Sequence, residues 1–486
     1  MPKRARKLSP MPIFDPIHLP KFLKERGSKR PLLHAAVLWR HLLRTRNASL
    51  ATLTHVEGFP PSLLPPVQLH FVMFTISLIK KVTSSDKSTT KMLLRLQDGF
   101  DIETVVMRHG CTTARRVEGE SRTTVCVSSQ IGCKMGCKFC ATGTMGEMGD
   151  LWSGEIVEQV AMASYQCNVD VRNVVFMGMG EPMNNYNNMI AAVTQLIDQR
   201  TFSLSPSRIT VSTVGIVPRM ESFTEELGQK GVSLALSLHA PNQKLRASFV
   251  PAARAYPLNR LMQAVDIYTL RTNKKILMEY CLMAGVNDSM ESAHELGALL
   301  STRKCLLNLI PYNNTAVDAK YQQPSLDIIA KFADIVMREY GVRTTIRKEM
   351  GGDVAAACGQ LVTLEEPQIG GLLDTSENSS SKKTTTNQTK EVMQKEVMNG
   401  SDALMDMEDM FVSKVSIRKI EREEARKGHK RAINRMKGIS NKMDQGDAKE
   451  IEENVKMTYD EMMKFVDSNV EDHTYVPKNR PLFPIA

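Results

Sequence analysis

The sequence predicts an α/β protein built on a parallel sheet, open or curled into a partial barrel. A small basic helical domain and a β-hairpin precede the sheet, and a largely disordered extension follows it. Three observations carry this prediction. Six short β-rich runs alternate with amphipathic segments between Val125 and Ile310, which is the pattern of repeated β/α units. The first 95 residues hold basic helical stretches broken by proline. Beyond Leu373 the apolar periodicity stops.

In chain order, Pro20 precedes KFLKERG and Pro31 precedes LLHAAVLWRHLLRTR, where Leu32, Leu33, Ala36, Val37, Leu42 and Leu43 recur at helical spacing. KMLLRLQDGFDIETVVMR then reads as two strands around Gln97, Asp98 and Gly99, since Asp-Gly favours a hairpin turn. The six candidate strands are 125–130, 173–178, 208–213, 232–238, 276–282 and 305–310, with GEIVEQVAMASYQ and LNRLMQAVDIYTL among the helical segments between them. A further β run, 342–347, leads into GGDVAAACGQL. DTSENSSSKKTTTNQTK is a polar linker without apolar periodicity. Residues 411–437 read as a basic helix, and the remainder is charged and weakly ordered.

Composition narrows the function classes. The 486 residues include 63 Lys and Arg against 53 Asp and Glu, a formal charge of +10. The excess sits at the two ends: Met1 to Arg46 has twelve basic and two acidic residues, and Lys414 to Lys437 has ten and three. Basic ends on a balanced body favour a polyanionic partner such as nucleic acid over a merely solvated surface. No run approaches the roughly 18 apolar residues of a membrane-spanning helix, so no membrane partner is expected. Nine cysteines, an odd number in a large chain without a signal-peptide core, point to a reducing compartment. There a cysteine cluster binds metal or does chemistry.

The most informative string is CVSSQIGCKMGCKFCATGTMG, which places Cys133, Cys137 and Cys140 as C-x3-C-x2-C just after the first candidate strand. Three thiolates from one glycine-containing loop bind three corners of a cubic iron–sulfur cluster and leave one iron open. A structural zinc site normally wants four closed ligands, and a redox C-x-x-C needs no third cysteine. This loop, at the end of the first strand of a six-unit β/α chain, resembles the radical S-adenosylmethionine (SAM) superfamily. With CVSSQIGC, GMGEPMNNY, SLHAP, LIPYN and AAACGQL in that order, the chain from about residue 15 to Leu361 resembles the RlmN/Cfr family of dual-specificity RNA adenine methyltransferases.

The resemblance implies a partial (β/α)6 radical SAM barrel. Together with the composition break after Leu373, it divides the chain into a basic N-terminal accessory RNA-binding domain (1–95) and a catalytic core (96–373), followed by a disordered linker (374–410) and a basic, charged extension (411–486) that departs from the common family pattern. It implies that Cys133, Cys137 and Cys140 hold a [4Fe–4S] cluster whose open iron is chelated by SAM. Gly180 and Glu181 match the segment that holds the SAM amino group, while Ser212, Ser237, Leu238, His239 and Asn313 match further SAM contacts. Without the family, GMGEP is a strand-to-helix turn and His239 a packing or capping residue. Cys358 matches the cysteine that is methylated, Cys126 the one that resolves the product and Glu103 a proton acceptor; otherwise the cysteines are small buried hydrophobes. Cys281 and Cys305, within candidate strands, are expected in the core.

In the implied mechanism one SAM methylates Cys358, and a second yields the radical that activates that methyl group for addition to adenine. Deprotonation and attack by Cys126 on the Cys358 sulfur then release the product and leave a disulfide. The expected reaction is methylation of adenine C2 in ribosomal RNA, with transfer RNA as a second substrate. The alternatives are a C8-specific relative, another radical SAM enzyme, or a non-catalytic RNA-binding protein with a structural metal. An electron donor such as a flavodoxin or ferredoxin system is implied, and a monomer is expected. MPKRARKLSP lacks the look of a transit peptide, so the expected compartment is the cytoplasm, with chloroplast or mitochondrion as the alternative.

Overall fold

The computed structural model describes residues 6–45, 49–109, 122–315, 321–348, 350–357 and 359–361. Cys358 lies outside the described residues, as do the expected linker and extension.

Among the described residues ten strands form one mixed sheet whose spatial order is the chain order. They are β1 (Ser77–Thr83), β2 (Thr89–Arg95), β3 (Asp101–His109), β4 (Arg122–Cys126), β5 (Val171–Phe176), β6 (Ile209–Thr213), β7 (Ser233–Ser237), β8 (Ile276–Leu282), β9 (Cys305–Pro311) and β10 (Thr344–Ile346). From β1 to β4 neighbours are antiparallel. From β4 to β10 all are parallel. Two N-terminal helices come first, α1 (His18–Glu25) and α2 (Pro31–Arg44), with Pro31 at the first helical position where a missing N–H costs nothing. The crossovers carry α3 (Ser153–Cys167), α4 (Tyr186–Ile197), α5 (Val217–Phe223), α6 (Gln243–Phe249), α7 (Leu258–Thr272), α8 (Met290–Leu300) and α9 (Leu326–Asp334). Six β/α units thus run in sequence, as the alternation predicts.

Two elements differ from the sequence reading. Ser77–Thr83, inside the stretch read as helical, is the edge strand β1. Its residues are mostly exposed on both faces and two are lysines, so it shows none of the alternation that marks a half-buried strand. The first barrel strand ends at Cys126 instead of Gln130. Past it, the Ser128 N–H donates to Gln159 Oε1 at 2.8 Å and the Ser128 carbonyl accepts from Gln159 Nε2 at 2.9 Å, so a side chain of α3 replaces the neighbouring strand.

The parallel strands alternate large apolar residues with small or polar ones. In β7, Leu234 and Leu236 join the apolar core, and Ser233, Ala235 and Ser237 point to the other face. In β8, Met278 and Tyr280 enter the core while Glu279 and Cys281 face the opposite way. Registers place Ser237 beside Glu279, Glu279 beside Asn308, and Ser212 beside Ala235. Small inward residues leave room inside the curled sheet, and a cavity opens at its strand ends.

Helix α3 ties this sheet to the N-terminal segment through polar side chains that are themselves fully buried. Asp15 accepts from the N–H of Gly154 and the hydroxyl of Ser153, capping the helix start. Glu155 pairs with Arg6 at 2.6 and 2.7 Å. Glu158 accepts from the N–H groups of Thr75 and Ile76 and from the Thr75 hydroxyl. Glu158→Ala leaves these buried donors unpaired, and we expect it to lower stability by about 2–4 kcal/mol. Asp327→Ala, which breaks an exposed ion pair with Lys331, is expected to cost less than about 1 kcal/mol. Thermal unfolding of the two variants checks the contrast; equal effects would show that Glu158 is not an anchor.

Candidate active site

The three cysteines sit on a loop held by a small hairpin, Gln130–Cys133 against Gly146–Asp150. Gly132 has φ +71°, and a Cβ there would stand 2.0 Å from the Gly146 carbonyl oxygen, so only glycine permits the close approach. The Cys140 N–H donates to the Cys137 carbonyl, and the Lys138 N–H to the Phe249 carbonyl at the end of α6. All three cysteines line one cavity at the C-terminal ends of the parallel strands, where β/α folds assemble their sites. Burial, the largest cause, pushes the Cys133 thiol up to about 12, and neighbouring Glu181, Cys140 and Glu147 add to the rise. Cys137 and Cys140 are raised first by burial as well.

Strand ends supply the rest of the cavity wall. Gly180 and Glu181 follow β5; the Glu181 carboxylate accepts N–H groups of Met183 at 3.0 Å and Val214 at 2.8 Å. Burial nonetheless raises its pKa. Ser212, at the end of β6, donates to Glu279 Oε2 at 2.8 Å, and Ser237 ends β7. His239 holds a left-handed backbone, φ +60°, and its ring stands edge-on to Phe139 at 4.9 Å. Burial, then the charge of Arg246, lowers its pKa to about 3, so the ring is neutral. Its Nδ1 accepts the Cys281 N–H at 3.0 Å, which puts the remaining proton on Nε2.

Not every expected residue reaches this cavity. Leu238 is fully buried in the apolar core, and its N–H and carbonyl are bonded to Glu279 and Arg246. Asn313 lines a second, smaller cavity with Met107, Arg347, Ala356 and Ala357, which shares Ile310 with the first. Glu103 on β3 and Cys126 on β4 are buried side by side on one face of the sheet: Cys126 pairs in register with Val105, two residues from Glu103. Cys126 also pairs with Val175, Val175 with Thr210 and Thr210 with Ser233, which puts it on the inner face. Cys358 itself is outside the described residues, but Gly359 borders the main cavity and its carbonyl accepts the Ala141 N–H at 2.8 Å.

The family described as the radical SAM superfamily matches residues 127–296. A probable dual-specificity RNA methyltransferase RlmN of Lysinibacillus sphaericus is 39% identical over 375 residues, covering 75% of this chain and 93% of that protein. The ribosomal RNA large subunit methyltransferase N of Nitrosopumilus maritimus is 46% identical over 288 residues, covering 59% and 80%. The chain belongs to the RlmN/Cfr family. A solved radical SAM methyltransferase from Sphaerobacter thermophilus superposes on this RlmN/Cfr chain with a TM-score of 0.65 at 36% identity, covering 72% of this chain and 99% of that one.

The cofactors of this RlmN/Cfr protein are a [4Fe–4S] cluster and SAM, and the donor set fits both. Buried thiols raised by their surroundings ionise for a cationic core that bonds them directly. Glu181, a buried carboxylate beside them without a cationic partner among its bonds, suits an ammonium group.

Glu279, Cys281 and Gln130 were not foreseen as site residues. Glu279 and Cys281 both line the cavity, so Cys281 is not simply core, whereas Cys305 is. The signal for Glu279 is present in ILMEYCL: a carboxylate in mid-strand of a buried parallel sheet needs a partner inside the fold. Gln130 accepts the Glu181 N–H at 2.9 Å and turns its amide to Glu147 and Asp150. Gly180, with φ +99°, lets this contact form, because a Cβ would stand 2.6 Å from that of Gln130. Gly180→Ala is therefore expected to keep the cluster and weaken SAM binding about 10- to 100-fold, from roughly 1–3 kcal/mol of strain. Equilibrium dialysis with labelled SAM measures it; unchanged affinity would remove the Gly180–Glu181 turn from the SAM site.

Proposed function

We propose that this chain methylates C2 of an adenine in ribosomal RNA, with transfer RNA as a second substrate, through a methyl group carried on Cys358. The names of the relatives support an RNA methyltransferase. The observation that carries the finer reading is the placement of the segment around position 358. Gly359 borders the cavity that the three cysteines line, and Thr142 of the cluster loop donates to the Leu361 carbonyl. On its other side, Lys91 Nζ lies 3.2 Å from the Ala355 carbonyl and 2.9 Å from Glu103 Oε1, tying the same segment to the candidate proton acceptor.

Each residue then has a stated task. Cys133, Cys137 and Cys140 hold the cluster, and Gly180, Glu181, Ser212, Ser237 and His239 frame SAM, with Leu238 contributing only backbone and Asn313 acting from the adjoining cavity. When bound, the cluster supplies the electron that makes SAM a radical source, which a carbon as weakly nucleophilic as adenine C2 requires. Cys358 accepts the methyl group and passes its carbon to the base. Glu103 takes the proton lost from the adduct. The Cys126 sulfur attacks that of Cys358, the sulfur–carbon bond breaks with its electron pair and a proton going to the carbon to release methyladenine, and the two cysteines are left as a disulfide that an external reductant resets, while a flavodoxin- or ferredoxin-type system is the electron donor. The target base must leave its RNA stack to enter the cavity, and the basic N-terminal segment attracts the phosphates.

The two cysteines outside the cluster loop separate this reading from other radical SAM chemistry. Cys358→Ala is expected to retain the cluster and bind SAM but transfer no methyl group. Cys126→Ala is expected to accumulate protein covalently joined to RNA, because nothing resolves the adduct. Nuclease digestion and peptide mass spectrometry would find the nucleotide mass on the peptide holding GGDVAAACGQL. Normal turnover by the Cys126 variant, or methylation by the Cys358 variant, would refute the methyl-cysteine route while leaving the cluster assignment in place.

A further inference from the structure

Arg246, on α6, is the largest fully buried side chain among the described residues, with 0% of it exposed. Its Nε donates to the Leu238 carbonyl at 2.9 Å, and its Nη2 to the carbonyls of Val214 at 2.7 Å and Ser237 at 3.1 Å. These acceptors lie at the end of β7 and in the loops after β6 and β7, and Val214 and Ser237 both line the cofactor cavity. Its third nitrogen, Nη1, is buried with no hydrogen-bond partner among the described residues. No carboxylate forms an ion pair with it among those residues. A guanidinium with three neutral acceptors, one idle donor and no counter-ion is a poor element of a dry interior unless an anion arrives.

The surroundings set the guanidinium directly behind the wall of the cofactor cavity. The helix bearing Arg246 is fastened to the cluster loop by the bond from the Lys138 N–H to the Phe249 carbonyl. Phe249 also packs in one apolar cluster with Phe139 and Val214, against which Cys137 and Cys140 lie. We propose that Arg246 is a positioning residue for the cluster: it holds a fixed positive charge behind the cavity wall formed by Val214 and Ser237, and so favours the cluster's reduced state.

The direction follows from charge. Three thiolates make the bound cluster anionic, and the electron it accepts makes it more so. A buried cation held rigid by three carbonyls therefore stabilises the reduced form more than the oxidised one and raises the potential. This inference rests on the family assignment and its cluster, and not on the RNA substrate or the methyl-cysteine route.

The test uses the full chain, anaerobically reconstituted and free of SAM, in a redox titration followed by electron paramagnetic resonance. Arg246→Met, which removes the charge and keeps much of the length, is expected to bind iron yet lower the cluster's reduction equilibrium at least tenfold, a fall of about 59 mV for one electron. Arg246→Lys, which restores the charge, is expected to recover most of the loss. An intact cluster with an unchanged potential in the Met variant would overturn the proposal, as would equal shifts in Met and Lys variants, which would mark a packing effect. Weaker SAM binding with no change in the SAM-free potential would assign the guanidinium to SAM and also overturn it. If Arg246→Met fails to fold, Arg246→Gln, which keeps amide donors for the carbonyls and removes the charge, decides: the same fall in potential is expected, and a wild-type potential would count against the proposal. Wild-type protein that binds no iron would instead break the family reading.

Discussion

The structure turns on one electrostatic constraint: three half-buried thiols and the buried carboxyls of Glu181 and Glu279 surround a single cavity. Burial raises the pKa of Cys133, Cys137, Cys140, Glu181 and Glu279 alike. Such a collection of acids is unfavourable in an apolar interior unless cations neutralise it. An iron–sulfur core and a sulfonium cofactor bearing an ammonium are groups of the right sign, and the backbone N–H groups of Met183 and Val214 hold Glu181 ready for one of them. The cavity is preorganised because its polar groups are fixed by the protein before any ligand enters.

That preorganisation depends on α3. Gln159 takes over the backbone of Ser128 just where β4 ends, and the Ser128 hydroxyl in turn donates to the Glu103 carbonyl and accepts the Met179 N–H. The chain can then leave the sheet at Cys126 and start the cysteine hairpin four residues later. Asp15, Glu155 and Glu158 lock the other side of the helix to the N-terminal segment. The backbone before the cysteine loop, the sheet face beside Glu103 and the N-terminal segment are thus connected through side chains that solvent does not reach. Buried and satisfied polar contacts of this kind give a single geometry, where apolar packing alone tolerates slippage.

Much of this was legible in the sequence. The alternation of β-rich and amphipathic runs determined the order of the six β/α units, because period-2 and period-3.6 patterns are local properties of the chain. The C-x3-C-x2-C spacing determined the cluster loop, since three thiols within eight residues cannot lie far apart. GMGEP and SLHAP determined where cavity residues follow strands. The edge strand Ser77–Thr83 was not legible, for its exposure removes the pattern that reports a strand.

Only the tertiary structure decided which of these residues meet. It put Leu238 into the core and Asn313 into the adjoining cavity, and it brought Glu279, Cys281 and Gln130 to the site. It also gave Arg246 a buried position with one donor unpaired. In the sequence Arg246 is one basic residue in QKLRASF, indistinguishable from the solvated cations beside it. Its meaning comes from the carbonyls of Val214 and Ser237, which sit on loops distant in the chain and adjacent in space. Local pattern specifies elements because each residue's period is set by its own backbone, whereas the partner of a buried charge is set by how those elements pack.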